Sequence, residues 1–295
     1  MALASAALVS AESILALTPI AIKKTPLDPI SAIWSRTLSS TGLGYAISSD
    51  RSLPRSEYEA SAALGYINLL HVASSYEAFR HLPGSQAMSL LYTYPVWNLL
   101  MVSYFNHEKI TWWDFACMGV AGIGSVLLNM DPGTAAENSL GRKAHSGWGV
   151  FMGLIMALTE SGMHTLLKHL NWLDPAKSVW VLNASASGWL AVFHGLQELF
   201  GGEAVTGPTL RGGTWWDAIW LTLFHSVTLF SGYWLRFYAV PRLSTVTYSI
   251  LSYAGLIASF LFGSLIMGER PGWISVLGAA IIVGAGITLD LSGAI

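Results

Sequence analysis

The feature that most constrains the fold of this 295-residue chain is a series of predominantly apolar segments of about 20 residues each. A helix of about 20 residues crosses the hydrocarbon core of a bilayer. Ten such segments can be delimited, and the charged residues, 11% of the chain, cluster between them. Soluble domains carry roughly a quarter charged residues, so these charges could not solvate so long a chain in water. The sequence therefore predicts an all-α membrane protein with ten transmembrane helices.

The predicted helices divide into two sets of five. They cover approximately residues 2–22, 28–48, 58–80, 84–105, 111–130, 147–168, 176–199, 214–237, 241–267 and 272–293. The longest loop, 131–146, is rich in Gly, Ser and Ala and lies near the midpoint of the chain. We interpret it as a linker between a first unit, 1–130, and a second unit, 147–295. The first segment has no basic region before it and no small-residue cleavage motif, so we expect a retained helix.

A local duplication supports this division. LDPISAIWSRTLSSTG begins at Leu27, and LDPAKSVWVLNASASG begins 146 residues later at Leu173. Six of the sixteen positions are identical, and the rare residue pair Trp34 and Trp180 is among them. Internal similarity at a fixed offset indicates a repeated structural unit.

A second alignment, shifted by 161 residues, extends the duplication towards the end of each unit. It matches eight further positions, including Tyr92 with Tyr253 and Glu108 with Glu269. Because five is an odd number of helices, the second copy must enter the membrane from the opposite side. Inverted repeats of this kind are typical of alternating-access transporters, whose substrate site lies near the membrane midplane.

The last two helices of each unit resemble a known family. FGSLIMGERPGWISVLGAAIIVGAGITL, from Phe262, and VSYFNHEKITWWDFACMGVAGIGSVLL, from Val102, resemble the closing helix pair of the EamA domain in the drug/metabolite transporter superfamily. The motifs AFRHL and AVPRL, at Ala78 and Ala239, and Arg36 in helix 2 are also similar to that family. The resemblance implies two inverted five-helix EamA-type repeats, termini in the cytoplasm and a metabolite as substrate. It does not define which metabolite.

Two glutamates inside apolar helices are the first candidates for substrate or proton binding. Glu12 lies in AALVSAESILALTP and Glu160 in LIMALTESGMHTLLK, each followed by Ser, at nearly the repeat offset. A charged side chain at a helix centre costs about 2.5–3.5 kcal/mol on insertion scales, so each needs a reason. We expect both to face one midplane cavity, where burial and a nearby like charge disfavour ionisation and bring protonation within reach of neutral pH. The alternative is that a neighbouring Arg or His neutralises each glutamate and locks helices together.

The segment around Glu160 also resembles the first helix of the small multidrug resistance proteins, where a membrane Glu followed eight positions later by a Lys exchanges protons for cations. Glu160 and Lys168 have that spacing, with His164 between them on the same helix face. The first unit departs from the pattern, because Ile20 stands eight positions after Glu12. Proton coupling is therefore one prediction for this site, and an interface role for His164 is the other.

Further polar residues in apolar helices complete the set of predicted binding residues. Arg36 would pair with Glu12 or hold a substrate carboxylate, or else serve the fold. Tyr92 and Tyr253 are expected on opposite walls of a cavity lined by helices 1, 3, 4, 6, 8 and 9. The remaining candidates are Asn68 and His71 in helix 3, Ser89 in helix 4, His225 in helix 8, and Tyr248 and Ser252 in helix 9. For the hydroxyl residues, simple helix packing is an equal alternative.

The charges inside the predicted helices favour some classes of substrate over others. Two deep carboxylates against one deep cation, Arg36, favour an amine, another cationic compound or an amino acid, with or without proton coupling. A nucleotide-sugar or organophosphate exchanger is the alternative, and a non-transporting scaffold or receptor is a further one. We expect no enzyme activity, no cofactor and no nucleic-acid partner, since the chain has no phosphate-binding loop, metal-ligand spacing or basic patch. A plasma or bacterial inner membrane is favoured over an organelle membrane, and a monomer or homodimer is expected.

Overall fold

The computed structural model describes residues 1–82, 84–129, 146–199, 213–267 and 272–292. Within these ranges the chain is helical and contains no β-strand. The α-helices are α1 (Ala2–Leu15), α2 (Thr18–Lys24), α3 (Pro29–Ile47), α4 (Tyr58–His81), α5 (Gly84–Leu91), α6 (Tyr94–Phe105), α7 (Trp112–Asn129), α8 (Ser146–Leu170), α9 (Pro175–Leu199), α10 (Trp215–Phe224), α11 (Phe230–Ala239), α12 (Thr245–Ser252), α13 (Ala254–Met267) and α14 (Trp273–Ser292). The predicted linker up to residue 145, and Glu269, lie outside the described residues.

Several of these helices follow one another after short interruptions. Pro19 and Pro95 stand at the starts of α2 and α6, and each lacks the N–H that would continue the preceding helix. The α10 and α11 helices are joined by a π-helix, His225–Leu229, and only Tyr253 separates α12 from α13. The longest apolar stretches therefore combine two of the helices named above.

In the part of the chain that the structure describes, four helical stretches are long and apolar enough to cross a membrane: Ala2–Ile22, Gly147–Leu170, Trp215–Arg242 and Thr245–Ile266. Large aromatic side chains are exposed near helix ends, among them Trp112, Trp148, Trp215 and Trp273. Tryptophan at that position is typical of a membrane–water interface, where the ring is half in the apolar layer. Many exposed side chains between the ends are apolar, whereas buried ones include charged and polar groups. Such an inside-out distribution suits a lipid environment.

The duplicated L-D-P sequence proves to be a helix start. Asp28 Oδ1 accepts hydrogen bonds from the backbone N–H groups of Ile30 and Ser31 at 2.9 and 3.1 Å. Asp174 Oδ1 accepts one from Ala176 N–H at 2.9 Å. In both copies the proline is the first helical residue, where its missing N–H is harmless. The repeated triplet thus begins α3 and α9 by the same chemistry.

Helices of the two halves pack against one another throughout the bundle. The α3 helix lies against α9, α4 against α8 and α9, α1 against α11, and α7 against α14. The contact of α4 with α9 is closest at Gly65, where a Cβ atom would overlap Ser185. This packing brings α1, α3, α4, α8 and α11 together around the centre, where the candidate site lies.

Candidate functional site

A small cavity of about 60 Å³ lies at the centre of the bundle. Its walls combine charged groups, tyrosines and apolar side chains from both halves of the chain. The lining residues are Glu12, Leu15, Thr18, Pro19, Arg36, His71, Ser75, Phe79, Met88, Leu91, Tyr92, Tyr94, Met156, Glu160, Leu229, Tyr233 and Arg236. At about 30 Å³ for each water molecule in the liquid, this space holds about two waters and is closed to a metabolite.

The two predicted glutamates meet at one guanidinium. Arg236 Nε lies 3.0 Å from Glu12 Oε1, and Arg236 Nη1 lies 2.5 Å from Glu160 Oε1. All three residues are at least 95% buried. The expectation that α1 and α8 bring Glu12 and Glu160 to the same place is therefore met in the geometry, with an arginine between them. Such a triad is costly to bury, but losing one member would cost more, since a charge would be left without a partner.

Tyrosines surround this arginine and complete its hydrogen bonds. Arg236 donates to the hydroxyls of Tyr248 and Tyr94 at 2.7 and 3.0 Å, and its guanidinium lies 5.5 Å from the centre of the Tyr94 ring. Tyr92 in turn donates from its hydroxyl to Glu12 Oε2 at 3.2 Å. The tyrosines hold the triad in a fixed arrangement, as satisfied buried networks do.

His71 of α4 is the second partner of Glu160. Its Nε2 lies 3.3 Å from Glu160 Oε2, and its Nδ1 lies 3.1 Å from the carbonyl oxygen of Met156. A carbonyl oxygen only accepts, so Nδ1 carries the hydrogen in that contact. Nε2 would then turn a lone pair towards the carboxylate unless the pair holds one further proton. His71 and Glu160 are therefore a site where a proton is exchanged at little geometric cost.

Arg36 of α3 enters the cavity from another side. It donates to the Tyr233 hydroxyl at 2.8 Å and lies over the Tyr233 ring at 5.2 Å. No carboxylate of the described residues lies within 4.0 Å of it, so the predicted pair with Glu12 is not formed here. A buried guanidinium thus faces the cavity with a tyrosine as its hydrogen-bond partner.

The remaining predicted residues fall into two groups. His164 is buried and its ring lies 4.2 Å from that of Tyr248, with no hydrogen bond to either ring nitrogen among the described residues. Lys168, one turn further, bonds instead to Glu108, Thr245 and the carbonyl of Leu243. Glu160, His164 and Lys168 therefore do not form a continuous chain of hydrogen bonds along α8 in this conformation.

The other group lies around the cavity without lining it. Asn68 is fully buried one turn from His71, and its amide has no hydrogen-bond partner within the described ranges. His225 Nδ1 lies 3.2 Å from Ser35 Oγ, and Ser252 donates back to the carbonyl of Tyr248. Ser89 lies partly buried in α5. Their predicted role in substrate binding stays a prediction.

Two expectations about the walls are wrong. The rings of Tyr92 and Tyr253 lie 6.2 Å apart and tilted, so they are neighbours and not on opposite walls. The lining residues found in the described part of the chain include Arg36 of helix 2 but none of helix 9. Thr245, Tyr248 and Ser249 of helix 9 are buried and turned away from lipid. They form hydrogen bonds with residues of neighbouring segments: Tyr248 with Arg236, Thr245 with Glu108, and Ser249 with Asn98.

Sequence reasoning missed Arg236, because its position near the end of the predicted helix 8, 214–237, did not suggest a deep side chain, and only Arg36 was counted as a deep cation. The residue is indeed three positions before the end of α11, but its side chain is 5% exposed and lies at the centre. A signal did exist: within YWLRFYAV the arginine has only apolar and aromatic neighbours. Its position also corrects the statement that only Arg36 lies deep, because two buried guanidiniums now stand against two buried glutamates.

A second set of charged residues joins the two halves at one end of the bundle. Lys177 lies 2.7 Å from Asp50 Oδ2 and 3.7 Å from Glu57 Oε2, and Lys168 lies 3.3 Å from Glu108 Oε2. We call these five residues the polar latch. In all three ion pairs the carboxylate belongs to the first half and the lysine to the second, so the latch holds the halves together at this end.

The carboxyls of the latch are held in their ionised form. The hydrogen bond from Lys177, with others from Ser52, lowers the pKa of Asp50 to about 2. Burial alone would raise the pKa of Glu108, but hydrogen bonds from the hydroxyl and N–H of Thr245, together with Lys168, lower it below its ordinary value. Both effects favour the latched arrangement at neutral pH.

Comparison with known proteins gives the class of protein that this fold and site define. Residues 3–130 match the EamA-like transporter family. Residues 3–130 are thus similar to an EamA domain of the drug/metabolite transporter superfamily, in agreement with the resemblance stated from the sequence, and the match together with the apolar helices indicates an integral membrane protein. Members of this family are generally not enzymes.

A solved crystal structure has the same fold. It aligns with 98% of this chain and 96% of its own, with 17% identity and a TM-score of 0.69. At that identity the likeness shows the fold alone. No curated protein matches the chain.

Proposed function

We propose that the protein is a secondary transporter that moves a small organic metabolite by alternating access through the central cavity. Its helices form ten membrane passages in two inverted repeats, 1–130 and 147–295. The observation that carries the proposal is the site itself: charged groups from both halves converge on a buried cavity too small for a metabolite. The halves must therefore move apart for a substrate to enter.

The interruptions of the helices support the inverted repeat. A shift of 161 residues carries the bounds of α5, 84–91, onto those of α12, 245–252. The same shift carries the interruption at Tyr92 onto that at Tyr253. Ten passages result when α1 with α2, α5 with α6, α10 with α11, and α12 with α13 are each counted as one.

The packing of helices is reciprocal, as a twofold axis requires. The third passage, α4, packs on the sixth, α8, and the eighth, α11, packs on the first, α1. Between α3 and α9, the ring of Trp34 lies 6.0 Å from that of His194, and Trp180 lies 5.6 Å from Tyr45. The two matched tryptophans thus each contact an aromatic ring in the later part of the opposite helix.

The polar latch supports alternating access because it joins the two halves at one end of the bundle. The latch, the bond from Trp172 to Glu57 at 3.0 Å and that from Ser49 N–H to Asp174 at 2.8 Å join the halves there. At the opposite end, Trp148 Nε1 of the second half donates to Glu77 Oε2 of the first half at 3.1 Å. Opening of the latched end requires these bonds to break together.

Proton coupling follows from the His71–Glu160 pair. The proton that this pair holds neutralises one carboxylate of the triad, and its departure leaves the triad alone with one net negative charge, which faces the positive charge of Arg36 across the cavity. The charged and titratable groups facing it are Glu12 of α1, Arg36 of α3, Arg236 of α11 and the surrounding tyrosines. A positively charged group of the substrate then replaces the proton, which is exchange transport.

The test is uptake into proteoliposomes, screened across amines, amino acids and nucleotide sugars with and without a pH gradient. We expect uptake driven by the gradient, and loss of that dependence in Glu160→Gln and in the double variant Glu12→Gln/Glu160→Gln. Gln keeps the shape of the side chain and removes its charge. Unchanged, pH-dependent uptake in the double variant would show that the glutamates only hold helices together. No uptake of any compound by folded protein would favour the scaffold or receptor alternative.

A further inference from the structure

Arg36 is a buried cation without a counter-ion among the described residues. Its side chain is 4% exposed, lines the cavity and bonds to the neutral hydroxyl of Tyr233. By contrast, Arg236, equally buried, has two carboxylates. A buried charge is retained when something compensates it during function, since its desolvation is costly. The group that compensates Arg36 would have to come from the cavity.

The same cavity also presents carboxylate oxygens that lack a donor. Glu12 Oε1 and Glu160 Oε2 are buried and accept no hydrogen bond, although each lies within ion-pair distance of a nitrogen. A carboxylate oxygen accepts up to two hydrogen bonds. Buried polar atoms without partners are rare in folded proteins and indicate an absent partner. An ammonium group supplies donors for both oxygens.

We propose, on the basis of the transport function above, that the substrate is a zwitterion of the α-amino acid class with an apolar side chain. Arg36 holds its carboxylate, and Glu12 and Glu160 receive its ammonium group when the His71–Glu160 proton leaves. Leu15, Phe79 and Met88 form the apolar part of the wall that receives the side chain. The guanidinium fork suits a planar carboxylate, with two parallel hydrogen bonds.

Charge balance separates this substrate from the two alternatives. An amine would leave Arg36 uncompensated while adding a positive charge. A phosphate ester would compensate Arg36 but place negative charge beside two glutamates. A zwitterion satisfies both sides and leaves the net charge of the cavity unchanged, so it enters at the smallest electrostatic cost.

The experiment uses the purified protein and four probes: leucine, two analogues that each lack one of its charged groups, and one phosphate ester. Leucine carries both groups, isopentylamine lacks the carboxylate, 4-methylpentanoate lacks the ammonium, and glucose 6-phosphate carries a phosphate. Binding is measured in detergent by ligand-induced thermal shift and titration, and transport by uptake into proteoliposomes. The variants are Arg36→Gln and Arg36→Lys. Arg51→Gln is the matched control. Arg51 is exposed, donates to the carbonyl oxygens of Tyr45 and Ala46 at the end of α3, and is not among the residues that line the cavity.

We expect leucine to bind wild type and Arg51→Gln, and each single-charge analogue to bind at least 10-fold more weakly. Arg36→Gln should weaken leucine about 10- to 100-fold, the range of a charge-assisted hydrogen bond, and should leave isopentylamine unchanged. Arg36→Lys should fall between, since it keeps the charge and loses the fork. If Arg36→Gln fails to fold, the zwitterion assignment is tested by the order in which wild type binds the four probes and by the leucine affinity of Arg36→Lys.

Three outcomes would overturn the assignment. Equal binding of leucine and isopentylamine would remove the need for a carboxylate, and unchanged leucine binding by Arg36→Gln would remove Arg36. Preferred binding of glucose 6-phosphate would replace the zwitterion by an anion. In each case uptake of the preferred probe would leave the transport function standing. Folded protein that binds none of the probes overturns the zwitterion assignment, and the wider uptake screen then decides on transport.

Discussion

At the scale of single residues, Gly255 shows how closely the site is built. A Cβ atom at this position would overlap the hydroxyl of Tyr92 and lie 3.0 Å from Glu12 Oε2. Glu12 belongs to the triad and accepts a hydrogen bond from the Tyr92 hydroxyl, so neither side chain can move without breaking that bond. A larger residue here therefore acts directly on the substrate site.

We predict that Gly255→Ala lowers transport strongly and destabilises the protein by about 1–3 kcal/mol, the range for overpacked interiors. The matched control is Gly119→Ala, because a Cβ atom there has nothing within 4 Å. Uptake and thermal unfolding in detergent measure the two effects. Equal behaviour of the two variants would mean that the Tyr92–Glu12 contact does not define the site.

A second prediction at the scale of single residues concerns Arg236. Arg236→Gln leaves two buried carboxylates without a cation, and breaking a buried ion pair in this way costs about 3–5 kcal/mol. Adding Glu160→Gln removes one of the stranded charges, so the double variant should be more stable than Arg236→Gln alone. A double-mutant cycle of unfolding midpoints tests this. Additive effects would show that the triad is not a unit.

The comparison of sequence with structure is clearest at these residues. Glu12 and Glu160 could be found from the sequence, because a charge within an apolar helix has few explanations. Arg236 could not be ranked above Arg80 or Lys168, because its depth depends on which helices surround α11. That packing joins residues more than 200 positions apart, such as Glu12 and Arg236, and no local pattern records it.

At the scale of elements, the interrupted helices explain why the walls of the cavity were only partly predicted. Apolar length and the L-D-P starts located the helices, since hydropathy and capping are local properties. The interruption at Tyr253 and the π-helix at His225–Leu229 were not expected. Helix 9 contributes Tyr248 to the hydrogen bonds of Arg236, and none of its described residues lines the cavity.

The polar latch carries a pH prediction. Its carboxyls have lowered pKa values, about 2 for Asp50, so they stabilise the closed end above their ordinary pKa values and lose that contribution only as pH falls towards the lowered ones. We therefore expect no opening between pH 7.5 and pH 5. Spin labels at the exposed positions Arg55 and Asn171, in a Cys117→Ala background, measure the separation of the halves. A longer or broader distance at pH 5 would contradict this.

At the scale of the whole molecule, the small cavity and the latched end both imply that the two halves separate during transport. The cavity holds about two waters, and the charges that close one end all pair the first half with the second. If transport requires the halves to separate at the latch, then a covalent link there must stop it. The inverted repeats proposed above imply that the opposite end closes in its turn, by the movement that opens this one.

The last prediction tests that movement. In a Cys117→Ala background, Asp50→Cys and Lys177→Cys place thiols at positions whose native side chains lie 2.7 Å apart. Joining them with a short bifunctional maleimide should abolish uptake, whereas each single-cysteine variant, treated alike, should keep the uptake it has before treatment. A cleavable reagent of equal length should restore transport on cleavage, because the fold is unchanged and only the opening is blocked. Full uptake in the linked protein would mean that this end never opens, and the alternating-access proposal would be wrong.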